Sequence, residues 1–101
     1  RVSEIPDADV VLEEIIANVK VAYCRAGVIH ADLSEYNVVL KSDGHVLIID
    51  WPQFVRVDHP NAYMLLRRDI ENILRFFRGS LRLKRDVKKI LADIIGSGCS
   101  L

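Results

Sequence analysis

The chain contains the stretch HADLSEYN at residues 30–37, and the run IIDWP follows it at residues 48–52. An apolar run leads into the first stretch and another leaves it, and after a Ser42-Asp43-Gly44 turn a further apolar run ends on Asp50. Short β-branched runs bounded by polar turns predict small strands. This order therefore predicts a β-hairpin with a polar loop before its first strand and an acidic residue after its second.

Polar side chains in these two segments match the needs of phosphoryl transfer. The reaction requires a carboxylate that orients the attacking oxygen and oxygen ligands that hold Mg²⁺ on the phosphates. Asp32 matches the catalytic base, and Asn37 and Asp50 match the metal ligands of a kinase-type site. We also assign Ser34, in the same loop, to the nucleotide-binding residues. A polar turn between strands is the alternative explanation when the first loop is taken alone.

Three amphipathic helices are predicted around the hairpin, and each is expected to end at a glycine. The expected boundaries are Asp7 or Asp9 to Gly27, residues 61–78 before Gly79, and residues 83–95 before Gly96. Because these helices hold most of the apolar positions, we predict an α+β fold that is mainly α-helical, with a small β-hairpin at the active site.

Asp69 is an unusual residue because it lies on the apolar face of the second helix, between Leu66 and Ile73. A buried carboxylate is tolerated only when it is paired or hydrogen-bonded. We therefore expect a local partner for Asp69. A surface ion pair with a neighbouring arginine is the alternative, and such pairs contribute at most about 1 kcal/mol.

Four short motifs resemble the RIO family of atypical protein kinases, and especially its second subfamily. They are HADLSEYN at residues 30–37, IDWPQ at 49–53, HPNA at 59–62 and RRD at 67–69. The resemblance covers almost the whole chain. It implies a kinase-like carboxy-terminal lobe over residues 1–101, an ATP-dependent serine/threonine kinase or ATPase activity, and ATP with Mg²⁺, or Mn²⁺ in its place, as cofactors.

The resemblance also implies roles for individual residues. Asp69 would accept hydrogen bonds from the backbone of the catalytic loop, so that Asp69 and His30 act as structural anchors that hold Asp32 in place. Asp50 would bind the metal and could also accept a phosphoryl group as a carboxylate nucleophile.

The length of the chain limits what it can contain. At 101 residues it is the size of one domain, and a two-lobed kinase would not fit. It has no glycine-rich phosphate loop, and Lys20 lies in a helical pattern rather than on a strand. We expect an isolated lobe that needs an amino-terminal lobe as its partner and alone binds ATP weakly or not at all. Lacking an apolar span or an export leader, it is expected to be cytoplasmic and not membrane-bound.

Charge is distributed unevenly along the chain. Residues 1–60 hold five basic and ten acidic groups, and residues 61–101 hold nine and four, so the balance moves from −5 to +5. Such a basic region can bind a nucleic-acid backbone, although a solvated helix surface is the commoner explanation. The RIO resemblance implies the pre-ribosomal small subunit or its RNA as the partner of the basic carboxy-terminal helices.

Departures from the usual protein-kinase pattern leave other functions open. Ala31 replaces the arginine that pairs with a phosphorylated activation loop, and no A-P-E segment follows Asp50. ATP hydrolysis or self-phosphorylation is therefore favoured over phosphorylation of another protein.

Two other functional classes are alternatives to such a kinase or ATPase. One is a small-molecule phosphotransferase of the aminoglycoside or choline kinase type, and the other is a non-catalytic, nucleotide-dependent ribosome assembly factor.

Overall fold

The computed structural model describes residues 7–96. Its first helix packs against the apolar core. Helix α1 (Ala8–Val21) continues as a turn of π-helix, Ala22–Ala26, and ends at Gly27, whose φ of 68° is left-handed. Glycine suits this position because a side chain disfavours that conformation. The predicted end at Gly27 is confirmed. Asp7 occupies the cap position, but its side chain makes no capping hydrogen bond.

Within residues 7–96, four short strands form two antiparallel pairs. Strands β2 (Val38–Leu40) and β3 (Val46–Ile48) form the predicted hairpin, with Val38 opposite Ile48. Strand β1 (Val28–Ile29) pairs with β4 (Val55–Arg56). Neither strand β4 nor this pairing is predicted from the sequence. The second pair brings the chain before the polar loop next to the chain after Asp50.

The second helix is longer than predicted. Helix α2 (Ala62–Leu81) runs through Gly79 and ends at Arg82, which has a left-handed φ of 57°. The backbone N–H of Leu83 donates to the Phe77 carbonyl at 3.1 Å and closes the helix end. The predicted end at Gly79 is therefore wrong. Glycine inside a helix costs only about 1 kcal/mol relative to alanine, and burial of Ile73 and Phe77 offsets that cost.

The third helix begins later than predicted. Helix α3 (Val87–Leu91) continues as a π-helical turn, Ala92–Gly96. Its start is set by Asp86, whose carboxylate accepts a hydrogen bond from the Lys88 backbone N–H at 2.9 Å. The predicted start at residue 83 is wrong because Asp86 caps the helix and the segment from Arg82 leaves α2 in a left-handed turn.

In the described part of the chain, an apolar core lies between helices α1, α2 and α3 and the hairpin. Leu12, Ile15, Leu66, Ile73 and Phe77 are almost fully buried in it. The predicted fold, mainly helical with a small β-hairpin, is confirmed. Within residues 7–96 no helix has the length and apolar character needed to cross a membrane.

Candidate active site

The loop that carries Asp32 leaves β1 through a strained residue. His30 is 3% exposed, and Ala31 has a left-handed φ of 74°. Such a conformation is unfavourable for a residue with a side chain and persists only when its surroundings hold it. The loop then turns through a short 3₁₀ helix, Glu35–Asn37. The side chain of Asp32 is exposed.

Helix α2 holds this loop by its backbone. The oxygens of Asp69 accept hydrogen bonds from the N–H groups of Ala31 at 2.8 Å and Leu33 at 3.0 Å. Arg68 donates to the Ala31 carbonyl, and Asn72 donates to the Leu33 carbonyl at 3.2 Å. Three side chains of α2 thus bind the backbone N–H and C=O groups of both Ala31 and Leu33, the two residues that flank Asp32.

Asp69 is therefore not a surface residue. Its side chain is 1% exposed, so the alternative of a surface ion pair is wrong. Burial raises the pKa of Asp69, whereas the two backbone N–H groups, His30 and Arg68 act in the opposite direction. Asn72 was not predicted from the sequence, and neither was the contact of Arg68 with the loop backbone. The spacing of three residues between Asp69 and Asn72, which places both on one helix face, is the signal that could have identified Asn72.

Ser34 and Asn37 bind each other within the loop. The Asn37 Oδ1 accepts hydrogen bonds from the backbone N–H of Ser34 at 3.0 Å and from its hydroxyl at 3.2 Å. The Ser34 Oγ in turn accepts from the backbone N–H of Tyr36 at 3.2 Å. The contacts of Ser34 are thus those of a residue that shapes the loop and sets the orientation of the Asn37 side chain.

His30 joins this loop to the segment that carries Asp50. The His30 Nδ1 accepts a hydrogen bond from the Asp32 backbone N–H at 3.2 Å, so the proton of a neutral ring lies on Nε2. That Nε2 group donates to the Ile49 carbonyl at 2.8 Å. The ring also packs against Trp51, with 4.8 Å between the ring centroids. His30 thus contacts the backbone of Asp32 and the residues on both sides of Asp50.

The backbone makes a second connection between the two segments. The N–H of Ile49 donates to the carbonyl of Asn37 at 2.8 Å. Asp50 follows directly, has a left-handed φ of 63°, and has an exposed side chain. Asp32, Asn37 and Asp50 therefore lie on two hydrogen-bonded loops at one end of the hairpin.

The donors at this end of the hairpin fit a magnesium ion that is shared with phosphates. Asp50 offers an exposed carboxylate, and Asn37 offers an amide oxygen that already accepts from Ser34. In the part of the chain that the structure describes, no three His, Cys, Asp or Glu side chains form a metal site. Mg²⁺ commonly takes one or two protein ligands and completes its shell with phosphate and water. Asp50 and Asn37 are the residues that would hold it.

A groove in the described residues lies away from this site. It measures about 520 Å³, lies between α2 and α3, and is lined by Glu71, Leu74, Arg75, Arg78, Lys84, Arg85 and Val87. A smaller groove lies beside the loop of Asp32, and Arg75 lines both grooves. The larger groove is basic, because four of its seven lining residues carry positive charge.

The chain is similar in sequence to known RIO-type kinases. A Rio2 kinase from Methanocaldococcus jannaschii, a RIO-type serine/threonine-protein kinase, is 45% identical over 81% of this chain and 30% of its own length. A Rio1 kinase from Haloferax volcanii is 54% identical over 54% of this chain and 18% of its own length. This chain thus spans less than a third of the curated relatives it matches.

A solved structure shares the fold. The Rio2 kinase from Chaetomium thermophilum, in an ADP/Mg²⁺-phosphoaspartate complex, matches with a TM-score of 0.78 and 27% identity over 97% of this chain and 32% of that chain. Relatives from both the first and the second subfamily match, so membership of the second subfamily stays a prediction. The sequence model of the RIO domain matches residues 1–91. The chain therefore belongs to the RIO family.

Proposed function

We propose that this chain supplies the catalytic and metal-binding loops of a RIO-type serine/threonine protein kinase or ATPase. The observation that carries the proposal is the hydrogen bond from His30 to the Ile49 carbonyl, because it sets the loop of Asp32 against the segment of Asp50. Phosphoryl transfer depends mainly on position and electrostatics rather than on covalent chemistry. Two acids on connected loops, backed by a buried anchor, suit that requirement.

Each residue has a distinct role in this proposal. Asp32 accepts a hydrogen bond from the attacking hydroxyl or water and orients its oxygen toward the γ-phosphorus. Asp50 and Asn37 direct oxygen ligands toward the Mg²⁺ that neutralises charge on the phosphates. Ser34 fixes Asn37, and Asp69 and His30 keep the backbone of the loop in place.

Asp50 also has a proposed covalent role. Its carboxylate oxygen would attack the γ-phosphorus, the bond from that phosphorus to the bridging oxygen would break, and ADP would leave. Water would then attack the phosphorus of the acyl phosphate, the bond from phosphorus to the carboxylate oxygen would break, and inorganic phosphate would leave as the carboxylate is restored. The phosphoaspartate complex of the Chaetomium Rio2 kinase supports this proposal, as do the exposure and unusual backbone of Asp50.

The proposed activity belongs to a larger assembly than this chain. The matched region covers only 30% and 18% of the length of the two relatives named above, and the chain contains no glycine-rich phosphate loop. We expect an amino-terminal lobe to supply that loop and its lysine. Calorimetry with the 101-residue chain and ATP is therefore expected to give a Kd well above about 1 μM, which corresponds to about −8 kcal/mol.

The function is tested in a protein in which this chain is joined to a RIO amino-terminal lobe. Asp32→Ala and Asp50→Ala should each lower Mg²⁺-dependent ATP turnover at least a hundredfold, whereas Asp58→Asn, an exposed carboxylate change, should not. With γ-labelled ATP, a hydroxylamine-sensitive label on the protein should disappear in Asp50→Ala. Full turnover in Asp32→Ala would contradict the catalytic role of Asp32. Intact ribosome maturation in an Asp32→Ala variant that no longer turns over ATP would favour a non-catalytic assembly factor.

A role in small ribosomal subunit maturation is a further part of the proposal. The groove between α2 and α3 supports it, because Arg75, Arg78, Lys84 and Arg85 place positive charge along one opening. The acidic Glu71 is already paired with Arg67, with 3.0 Å between Nε and Oε2. Cations that line a groove suit the phosphates of RNA.

A further inference from the structure

We propose that Gln53 is a positioning residue that fixes the catalytic loop relative to the segment of Asp50. The inference rests on the proposed function, since it concerns the relative position of Asp32 and Asp50. In the sequence, Gln53 stands out only as part of the family motif IDWPQ. Its contacts in the structure assign it a separate role.

The amide of Gln53 lies between the two loops. Its Nε2 is 2.6 Å from the Asp50 carbonyl oxygen, 3.1 Å from the His30 Nδ1 and 3.3 Å from the His30 carbonyl oxygen. All three atoms are acceptors. Two are carbonyl oxygens, and the His30 Nδ1 carries no proton because it accepts the Asp32 N–H. An amide nitrogen has two hydrogens and no accepting capacity, so this orientation of the side chain matches its surroundings.

Local sequence explains how a residue so close to Asp50 can reach back to it. The backbone N–H of Phe54 donates to the Trp51 carbonyl at 2.9 Å, which closes a four-residue turn. Pro52 occupies the second position, where its fixed φ favours the turn. Gln53 is then the third residue, and the turn directs its side chain toward the Asp50 carbonyl.

The backbone on both sides of the Gln53 amide is strained. Ala31 and Asp50 both have left-handed φ values, 74° and 63°, although neither is glycine. Asp69 and Arg68 bind the peptide groups of Ala31. Gln53 provides the equivalent contact for Asp50, by binding its carbonyl. Without that contact, we expect Asp50 to relax toward ordinary φ values and its carboxylate to move.

The consequence differs from a general loss of stability. A residue that merely stabilises the fold would lower the amount of active protein without changing how activity depends on Mg²⁺. Loss of a positioning residue would instead raise the Mg²⁺ concentration that half-maximal turnover requires, because the carboxylate of Asp50 would no longer be held in place. It would leave the ATP KM, set largely by the proposed amino-terminal lobe, little changed.

The test uses Gln53→Met, which keeps the length of the side chain and removes both donors. Asn61→Met is the matched control, because Asn61 is exposed and its side chain makes no capping hydrogen bond at the start of α2. In the protein with both lobes, Gln53→Met should lower kcat at least tenfold and raise the Mg²⁺ concentration for half-maximal turnover at least fivefold. Asn61→Met should change each value less than twofold.

A second measurement does not depend on activity. The ¹³Cα and ¹³Cβ shifts of Asp50 in the isolated chain report its backbone conformation, and Gln53→Met should move them toward extended values, whereas Asn61→Met should not. If Gln53→Met does not fold, the shorter Gln53→Asn gives the same comparison. Unchanged Asp50 shifts, or an unchanged Mg²⁺ dependence in an active enzyme, would overturn the inference. An inactive wild type with the expected shifts would instead count against the proposed function alone.

Discussion

The carboxylate of Asp69 accepts a hydrogen bond from the backbone N–H of Ala31 at 2.8 Å, although 38 positions separate the two residues. Ala31 is left-handed, with a φ of 74°, and leads directly to Asp32. A strained residue keeps its conformation only when its neighbours hold it there. The buried face of α2 therefore determines the path of the loop that carries the candidate base.

Replacement of Asp69 by asparagine tests this relationship. Asparagine keeps the shape of the side chain but has one acceptor oxygen, so one of the N–H groups of Ala31 and Leu33 would face an amide NH₂. An unsatisfied buried donor costs about 1–3 kcal/mol, and we expect Asp69→Asn to lower the free energy of unfolding by that amount at neutral pH. Urea denaturation of the isolated chain measures it.

Asp58→Asn is the matched control for this measurement. Asp58 pairs with Arg56 in solvent, with both side chains about three-quarters exposed, and exposed pairs contribute only about 0–1 kcal/mol. If Asp69→Asn lost no more stability than this control, the anchoring role of Asp69 would have to be abandoned.

Glu14 gives a prediction about acid stability. Its Oε2 accepts from the Val46 backbone N–H at 2.8 Å, and this bond is the main reason that the pKa of Glu14 lies below its usual value. A lowered pKa in the folded state means that the charged form stabilises the fold above the ordinary glutamate pKa. That contribution is lost as the pH falls through the folded-state pKa.

Glu14→Gln should therefore lower the Tm at neutral pH, and the difference from wild type should shrink as the pH falls from about 5 to about 3. Glu13→Gln, on the same helix, measures the effect of removing a more exposed carboxylate. Thermal melts across this pH range provide the comparison. A Tm difference that stays constant or grows toward low pH would disprove the predicted coupling to Val46.

Two glycines should respond in opposite ways to alanine. Gly79 lies inside α2, where an added Cβ would meet nothing within 4 Å, and Gly79→Ala should stabilise the fold by about 0.5–1 kcal/mol. Gly27 also has open space around it but has a φ of 68°, so Gly27→Ala should destabilise by about 1 kcal/mol. Urea denaturation measures the change in the free energy of unfolding for each variant. A change of the same sign in both variants would contradict the different backbone roles of the two glycines.

The sequence predicted those elements whose cause is local. The order of polar loop, apolar run, Ser42-Asp43-Gly44 turn and apolar run was sufficient for the hairpin, because strand pairing across a short turn depends on nearby residues. Gly79 was misjudged for a physical reason. A helix ends where the backbone becomes left-handed, and packing of Phe77 carried α2 past the glycine to Arg82.

Contacts between distant segments could not be predicted in the same way. Strand β4 exists because residues 55 and 56 pair with residues 28 and 29, and nothing in the short run itself indicates a strand. The position of Asp69 on an apolar helix face indicated a buried partner but not which N–H groups would fill that role. The sequence around Gln53 did not indicate a positioning role, because that role depends on how the loops of Asp32 and Asp50 pack against each other.

The basic groove between α2 and α3 gives the last prediction. Within residues 7–96, Arg78 and Lys84 are candidates for phosphate contacts, because neither takes part in any of the salt bridges that the structure contains there. If small-subunit ribosomal RNA binds in this groove, the double variant Arg78→Glu with Lys84→Glu should weaken binding at least tenfold. The affinity of the wild type should also fall as salt rises.

The salt dependence distinguishes direct contacts from a general effect of charge. Each phosphate contact with single-stranded nucleic acid adds about 0.7 to the slope of log affinity against log salt, so loss of two contacts should lower that slope by about 1.4. Arg25→Glu with Arg56→Glu changes the net charge equally at positions outside the groove. Fluorescence anisotropy with a labelled RNA fragment, measured over a range of salt concentrations, provides both values. Because both double variants shift the net charge by the same amount, an equal loss of slope in the two would assign the effect to overall charge and exclude the groove as the binding site.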